Sequence, residues 1–457
     1  MTKRPRATFN LALLWVITLA HTPALAEDLL SFYRAALSQD PVYLAARQTL
    51  QAAEQKVPQA RADLLPVISL GVDMSHQNGS AAFNNAADDD RRVRSQNWSL
   101  RLVQPLFRPA SWSMLSQAEA QYRQAEAQFR LASQDLILRV AQAFFDVLLA
   151  QESVSVTAAQ VLAVTQQLDL ARRNFQVGTA TVTDIHEATS RLDLARSQHI
   201  AANNDLTIKR AELERIIGTA PSELPILNSR AHLPRPHPDN MDEWVALAQT
   251  NSPLLAIQDG HKDIYEQQLV RSRAGHAPTA DISASYGTSY ASGSITSPTD
   301  VPVRSRSGQI GLQLTVPIWS GGAVASRIEE AQANLDKAVA DREAGRRQAI
   351  MQARQAFSSI TTGLAQIEAL SSAVRSSQEA VKANQIGYRI GTRINIDVLN
   401  AEQQLYATRR DLARAKMETL MQGLRLKAAT GSLTEQDVIS INALLDSTDE
   451  TGKQNKS

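Results

Sequence analysis

Hydrophobic positions along this chain follow two different periods in separate stretches. From Val67 they alternate: Ile68, Leu70, Val72 and Met74 are interleaved with Ser69, Gly71, Asp73 and Ser75. Trp98, Leu100 and Leu102 alternate with Ser99, Arg101 and Val103. Ile282, Ala284, Tyr286 and Tyr290 alternate with Asp281, Ser283, Ser285 and Ser289, and Ile310, Leu312, Leu314 and Val316 with Gln309, Gly311, Gln313 and Thr315. A period of two places alternate side chains on opposite faces of a strand. Each segment therefore predicts a strand of about ten residues, one face apolar and the other Ser, Gly, Gln or charged. That is the length and pattern of a transmembrane β-strand with a wet lumen. A soluble two-layer sheet would show the same alternation. The joins, Gln77 to Val93 and Ala291 to Ser305, read as long polar loops, with Asp88-Asp89-Asp90-Arg91-Arg92 solvated.

Elsewhere the period is helical. Pro41 opens a helix predicted to run to about Leu64, since a proline at the first turn forfeits no hydrogen bond, and Pro66 ends it. Very long helices are expected over Ser111 to Gln176 and Gly322 to Arg389, about 100 Å each at ~1.5 Å per residue. In the first, Val140, Phe144, Val147, Val154, Ala158, Val161, Leu168 and Phe175 fall on a heptad seam broken by Gln151, Thr165 and Arg172. Gly178-Thr179 and Gly391-Thr392 break these helices and turn the chain. Return helices start near Asp184 and Asp397, acids suited to a first turn. Their stripes run through Ile185, Ala188, Leu192, Ala195, Ala202, Leu206 and Leu213, and through Val398, Ala401, Leu405, Leu412, Ala415 and Leu426.

The order of elements occurs twice. Pro41, Gln55, Arg61, Ala62 and Pro66 recur as Pro253, Gln267, Arg273, Ala274 and Pro278. Phe32 matches Trp244, Leu100 matches Leu312 and Pro105 matches Pro317. After one inserted residue, Gln142-Ala143-Phe144 recurs as Gln355-Ala356-Phe357, Gly178 as Gly391, Asp184 as Asp397 and Gly218 as Gly431. Such a long repeat marks a duplicated fold and not a short solenoid. The expected organisation is residues 1–26 as export signal, 27–220 as first repeat and 221–239 as Pro-rich linker or equatorial segment. Residues 240–431 form the second repeat, and 432–457 an equatorial segment with a disordered polar tail. Each unit would pair two ~100 Å rods with two strands, the helix before the strands stacking end to end with the shorter return helix.

The export signal rests on Lys3, Arg4 and Arg6, the apolar run Leu11 to Ala20 and the small-x-small motif Ala24-Leu25-Ala26, with cleavage expected after Ala26. No later stretch has enough consecutive apolar residues for a spanning helix. Four strands cannot close a barrel, and an open edge is not viable in lipid. The strands must then be pooled between chains, and three copies give twelve.

Composition narrows the chemistry. The 457 residues carry 47 Lys+Arg against 46 Asp+Glu, so there is no basic field for nucleic acid, which is not expected as a partner. Without the signal the balance is 44 against 46, a formal charge of −2. With 0 Cys, thiolate chemistry, disulfides and lipidated cysteines are excluded. The 8 His are scattered. His186-Glu187 begins a zinc-protease pattern, but Ser190 stands where the second ligand belongs. His199 reads as a packed helix histidine, and His232 and His237 lie in the Pro-rich linker without ligand partners. There is no Gly-rich phosphate loop and no G-x-S-x-G motif. No catalytic residue, cofactor or metal site is expected.

The sequence resembles the TolC family of outer-membrane channel-tunnel proteins over essentially the whole mature chain. The likeness is most specific at Phe175-Gln-Val-Gly-Thr-Ala-Thr-Val-Thr-Asp-Ile185, at Tyr388-Arg-Ile-Gly-Thr-Arg-Ile-Asn-Ile-Asp-Val-Leu-Asn-Ala401, and at Val316-Pro-Ile-Trp-Ser-Gly-Gly322. The resemblance implies a mainly α chain with transmembrane β, assembled as a homotrimer. Four strands per chain would enter a shared twelve-stranded barrel. Long coiled-coil helices would form an α-barrel, with a small mixed α/β equatorial region from Pro221–Pro238 and the residues after Gly431. Pro66, Pro105, Pro278 and Pro317 would mark strand–helix swivels. Partners implied are outer-membrane lipid, a periplasmic adaptor and an inner-membrane ABC or proton-driven transporter. The function implied is passive export of proteins, as in type I secretion, or of drugs, across the outer membrane of a Gram-negative bacterium. Gly178, Thr179, Gly391 and Thr392 would dock the adaptor. The family's periplasmic gate maps onto Asp169, Tyr388 and Arg393, and its constriction ring of acids onto Asp397, with Asn400 in place of the second acid. The absent lipobox cysteine favours the unlipidated members. Two other readings are a periplasmic coiled-coil adaptor and a soluble periplasmic enzyme. Two hairpins and four amphipathic strands argue against the first, and the lack of a site against the second.

Overall fold

The computed structural model describes residues 28–84, 87–221, 224–227 and 233–446. The expected signal peptide, His232, part of the Pro-rich segment and the polar tail lie outside the described residues.

The first half runs α1 (Leu29–Gln39), α2 (Pro41–Glu54), α3 (Lys56–Ala62), β1 (Val67–Ala81), β2 (Asp89–Phe107), α4 (Pro109–Gln176), α5 (Val182–Ile217) and β3 (Ile226–Leu227). The second runs α6 (Met241–Asn251), α7 (Pro253–Arg273), a short 3₁₀ turn, β4 (Thr279–Ala291), β5 (Val303–Thr315), α8 (Ala323–Arg389), α9 (Asn395–Ala429), α10 (Glu435–Asn442) and β6 (Leu445–Asp446). The molecule is mainly helical, with one antiparallel sheet in the order β1-β2-β4-β5 and a two-residue ribbon of β3 with β6.

The helix expected from Pro41 to Leu64 is two helices, interrupted at Gln55. The strands are longer than ten residues, at 15, 19, 13 and 13. The joins shrink to residues 82–88 and 292–302. Polar residues mask these extensions, because a strand that is polar on both faces keeps its hydrogen-bonded ladder but shows no alternation to mark it. Asp89 to Arg92 are therefore strand, not loop. Pro105 lies inside β2, where the pairing with β4 shifts between Pro105 and Phe107. The turn into α4 falls at Pro109, the first residue of that helix. Pro66 and Pro278 stand directly before β1 and β4, and Pro317 lies in the connection from β5 to α8.

The two long helices hold 68 and 67 residues, each about 100 Å at ~1.5 Å per residue. Near the tips α4 packs against α5 and α8 against α9, while near the sheet α7 packs against both long helices and α2 and α3 against α4. Gly260 permits the α7–α4 approach: a Cβ there would lie 2.7 Å from Cβ of Gln124. The buried seam of α4 keeps Val140, Phe144, Val147 and Leu168 but passes through Val156, Thr157 and Val164, leaving Ala158 and Phe175 exposed.

The main core sits midway along α4, from Leu136 to Leu148. It gathers Leu29, Phe32, Tyr33 and Ala36 of α1, Leu213, Ile216 and Ile217 of α5, Met417 to Leu424 of α9, and Val438 and Ile441 of α10. The duplicated counterpart collects Trp244, Ala248, Phe357, Ile360 and Leu426. Phe32 and Trp244, matched by the repeat, thus occupy matched cores. Asn442 fastens the start of α1 to this level, accepting from Leu29 N at 3.1 Å and donating to Asp28 Oδ2 at 2.6 Å. α4 also holds one 18-residue window whose hydropathy suits a membrane span by length and composition.

Candidate functional site

Two regions carry the functional geometry: the sheet and the hairpin tips. Pairing in the sheet aligns the apolar positions across all four strands. Ile68, Leu102, Ala284 and Ile310 form one row, and Leu70, Leu100, Tyr286 and Gly308 the next. These side chains have no covering layer: Ile68 is 64%, Leu70 66%, Met74 76% and Ile310 83% exposed. The opposite face carries Ser69, Gly71, Asp73, Ser99, Ser283, Ser285 and Gln309. A monomeric soluble sheet would not leave so large an apolar face in water. β1 and β5, the two edges, each have one free edge, with no second partner strand among the described residues. At the helix end of the apolar face stand Phe107 and Trp112, in edge contact at 5.2 Å, and Ile318 and Trp319, 95% and 87% exposed. Aromatic side chains at that level suit a membrane interface. Arg108 makes a two-point contact with Asp281, 2.9 and 2.8 Å, at the junction of sheet and helix.

One feature escaped the sequence reading. Arg91 lies on the polar face and is buried. Its guanidinium donates to Asp89 Oδ2 at 3.0 Å, Ser294 O at 2.9 Å, Pro298 O at 3.3 Å and also Ser297 O. It stacks over Phe83, 5.0 Å from the ring centroid. The connection from β4 to β5 is thereby drawn over the polar side of the sheet, where a Cβ on Gly79 would lie 3.5 Å from the Ile295 side chain. The signal in the sequence was an arginine in register with the polar face.

At the tips, the helix ends are closed by glycine. Gly178 and Gly391 have φ of 79° and 76°, a left-handed conformation that a side chain would strain. Thr179 N donates to Asn174 O at 2.8 Å and Thr392 N to Gly387 O at 2.9 Å, completing matched helix-ending motifs. α5 begins with a capping box in which Thr181 N donates to Asp184 Oδ2 at 2.7 Å. Asn395, fully buried, joins the two hairpins: it accepts from Gln167 Nε2, and its own amide reaches Asp184 O at 3.4 Å. Val164, Leu168, Ala188, Leu192 and Leu399 pack beside it.

The residues mapped onto a gate are placed as follows. Tyr388 Oη accepts from Asn174 Nδ2 at 3.2 Å, and Asp169 pairs with Arg172 at 3.7 Å. Within one protomer Asp169 therefore bonds neither Tyr388 nor Arg393. Arg393 instead faces Asp397 at 3.7 Å, and Asp397 Oδ2 also accepts from Ile394 N at 3.5 Å at the start of α9. Asn400 Oδ1 accepts from Arg191 Nη2 at 3.1 Å, and Arg191 Nη1 donates to Gln403 Oε1 at 2.6 Å. Nearby, Glu402 is buried between α8 and α9. Gln385 donates to its Oε1 at 3.2 Å, and Oε2 has no partner among the described residues. Burial pushes its carboxyl above the usual range, the Gln385 bond offsetting this only in part. Among the described residues no group of three or more His, Asp or Glu could hold a metal ion.

Comparison with known proteins agrees with this geometry. The profile of the outer membrane efflux protein family matches residues 32–219 and 244–432, one match per repeat. The chain is 31% identical over 439 residues to the outer membrane protein TolC of Escherichia coli strain K12, covering 94% of this chain and 87% of that protein. It is likewise 31% identical over 439 residues to the proteases secretion protein PrtF of Dickeya chrysanthemi, covering 94% and 93%. Among solved structures, the Campylobacter jejuni CmeC outer membrane channel superposes with a TM-score of 0.77 at 15% identity, covering 98% of both chains. With a duplicated helical rod, an uncovered apolar sheet and these relatives, the chain belongs to the outer membrane efflux protein family, the TolC-like channels of efflux and secretion.

Proposed function

We propose that three copies of this chain form an exit duct through the outer membrane and periplasm of a Gram-negative bacterium, after removal of residues 1–26. The observation that carries this reading is the sheet with two unpaired edges and an uncovered apolar face. In lipid each unpaired backbone group costs several kcal/mol, so β5 of one chain must pair with β1 of the next until the ring closes. Twelve strands close such a ring, and the rods below continue it as a helical tunnel. The duct has no catalytic role. Energy and substrate choice come from an inner-membrane ABC or proton-driven transporter, joined through a periplasmic adaptor at the tips around Gly178-Thr179 and Gly391-Thr392. A protein cargo is the favoured class, because PrtF of Dickeya chrysanthemi is named for protease secretion.

The tips also form the gate in this reading. Asp169, half-exposed on α4 and 3.7 Å from Arg172, would meet Arg393 of a neighbouring protomer, while Asn174 steadies Tyr388 from within. Asp397 from three chains would ring the constriction. Its charge is partly compensated by Arg393, and Asn400 adds none, so cation selectivity is expected to be weak.

Heat-modifiable migration, extraction from the outer membrane only by detergent, and a conducting pore in planar bilayers are the expected outcomes. Release by buffer alone would overturn the reading and favour a soluble adaptor. Bulky substitutions at Gly178 or Gly391 should abolish export while membrane level and assembly are retained. Unchanged export would reject the docking assignment.

A further inference from the structure

The outward face of the sheet does not end symmetrically. Its helix end carries aromatic side chains, and the nearby Arg108 is neutralised by Asp281. Its far end carries Arg92 and Arg94 of β2 and Arg304 and Arg306 of β5, all exposed. The pairing shows that they share the apolar face. Arg306 lies in the row of Thr288, Trp98 and Val72; Arg304 in the row of Tyr290, Gln96 and Met74; Arg94 is opposite His76, and Arg92 opposite Asn78. Arg304 leans over the Tyr290 ring at 5.7 Å. None of the four forms an ion pair among the described residues. On that face the strands carry one acid, Asp90, at the extreme tip; Asp73, Asp89 and Asp281 point to the other side.

An arginine facing lipid is costly at the bilayer midplane and nearly free at its edge. Four together, unpaired and next to an apolar band, therefore place this end at headgroup level. Guanidinium groups grip phosphate oxygens in pairs, with more directional strength than ammonium groups. The arginines occupy four successive rows of the face, about 20 Å along the strand at ~3.3 Å per residue. A headgroup with a single phosphodiester lies in one plane and would meet only part of that spread. A glycolipid bearing several phosphates at different depths would meet all of it.

We propose that Arg92, Arg94, Arg304 and Arg306 form a girdle that binds the phosphate groups of a multiply phosphorylated glycolipid in the outer leaflet. This rests on the barrel reading, which sets the apolar face toward lipid. With three chains the girdle would hold twelve guanidinium groups, with Arg304 and Arg306 on the edge strand that meets the next protomer.

The test compares the full-length protein with the combined Arg94→Gln, Arg304→Gln, Arg306→Gln variant. Both are reconstituted in phosphatidylcholine vesicles, alone or doped with a bisphosphorylated hexa-acyl glycolipid or its dephosphorylated form. Glycolipid retained per chain after re-extraction and the temperature of the heat-modifiable transition are measured. The wild type should retain about tenfold more of the phosphorylated lipid than the variant, the scale of lost charge-assisted bonds. It should also show a raised transition that the variant lacks, and neither should favour the dephosphorylated lipid. Equal retention by the variant, equal retention of the dephosphorylated lipid, or the same stabilisation by inorganic phosphate alone would overturn the proposal. Insertion of both proteins into phosphatidylcholine is scored separately. Failure of the wild type to insert would overturn the barrel reading, and insertion without glycolipid preference would overturn the girdle alone.

Discussion

Asn174 Nδ2 donates to the hydroxyl of Tyr388 at 3.2 Å, tying the last turn of α4 to the last turn of α8. Asp169, one turn and a half earlier on α4, turns instead to Arg172. The two long helices are thus joined at the tip by a neutral bond inside the chain, while Asp169 faces Arg172 and Arg393 faces Asp397; in the proposed gate both would exchange these partners for contacts between chains. Arg393→Ser combined with Tyr388→Phe should raise resting conductance in planar bilayers several-fold. Asn174→Ala alone should raise it less, because the contacts between chains persist. Wild-type conductance in the double variant would reject the gate as placed.

The Arg91 clasp makes a separate prediction for the opposite end of the duct. Arg91→Ala removes the three hydrogen bonds that draw residues 294–298 onto the polar face, together with the Asp89 contact that orients the guanidinium. The connection between β4 and β5 should become sensitive to added protease, and the entry of large solutes from the outside should increase. An unchanged cleavage pattern would show that the loop holds its place without the arginine.

Much of this architecture was legible in the sequence because it rests on period and repetition. The switch from period 3.6 to period 2 at Val67 located β1, and the recurrence of Pro41 as Pro253 and Gly178 as Gly391 revealed the duplication. The upper halves of β1 and β2 were not legible, since Gln77, Asn78, Arg91 and Arg92 have no apolar face to betray a strand. Arg91 illustrates the limit: apart from Asp89, its partners are backbone carbonyls some 200 residues away, and no local pattern encodes such contacts. The resemblance names Asp169, Tyr388 and Arg393 as gate candidates, but which atoms meet depends on the rotation of α4 about its axis. One residue of drift in the seam, from Ala158 toward Thr157, shows that heptad counting does not fix it.

Asp40 should govern part of the acid sensitivity of the equatorial core. It is 2% exposed, caps α2 through Val42 N and Tyr43 N, and receives Arg139 Nη2 at 2.6 Å. Burial raises its pKa, but the Arg139 bond, the arginine charge and the two backbone donors outweigh that and hold the carboxyl below its usual range. A depressed acid contributes stability above its unfolded pKa and loses it as pH falls through the folded one. Arg139→Ala should cost about 3 kcal/mol at neutral pH, the scale for breaking a buried pair, and the deficit should shrink in acid. Thermal melts of both proteins across that range check this, and a deficit independent of pH would contradict it.

Glu402 should act in the opposite sense. Its raised carboxyl favours the protonated form, so its contribution is fully present below the unfolded pKa and is lost as pH rises through the folded one. Glu402→Gln should raise stability at pH 8 by on the order of 1 kcal/mol, the scale for an unsatisfied buried group, read as a higher melting temperature. The gain should vanish near pH 4, where the wild-type side chain is protonated. A loss of stability at pH 8 would show that Glu402 has an ionic partner in the assembly.

Closure of the sheet by neighbouring chains fixes the mass of the purified particle. Light scattering in mild detergent, corrected for bound detergent, should give three chains per particle, each somewhat below the 49.9 kDa of the full sequence once the signal is removed. A stable monomer or dimer, with β1 and β5 still unpaired, would contradict the account.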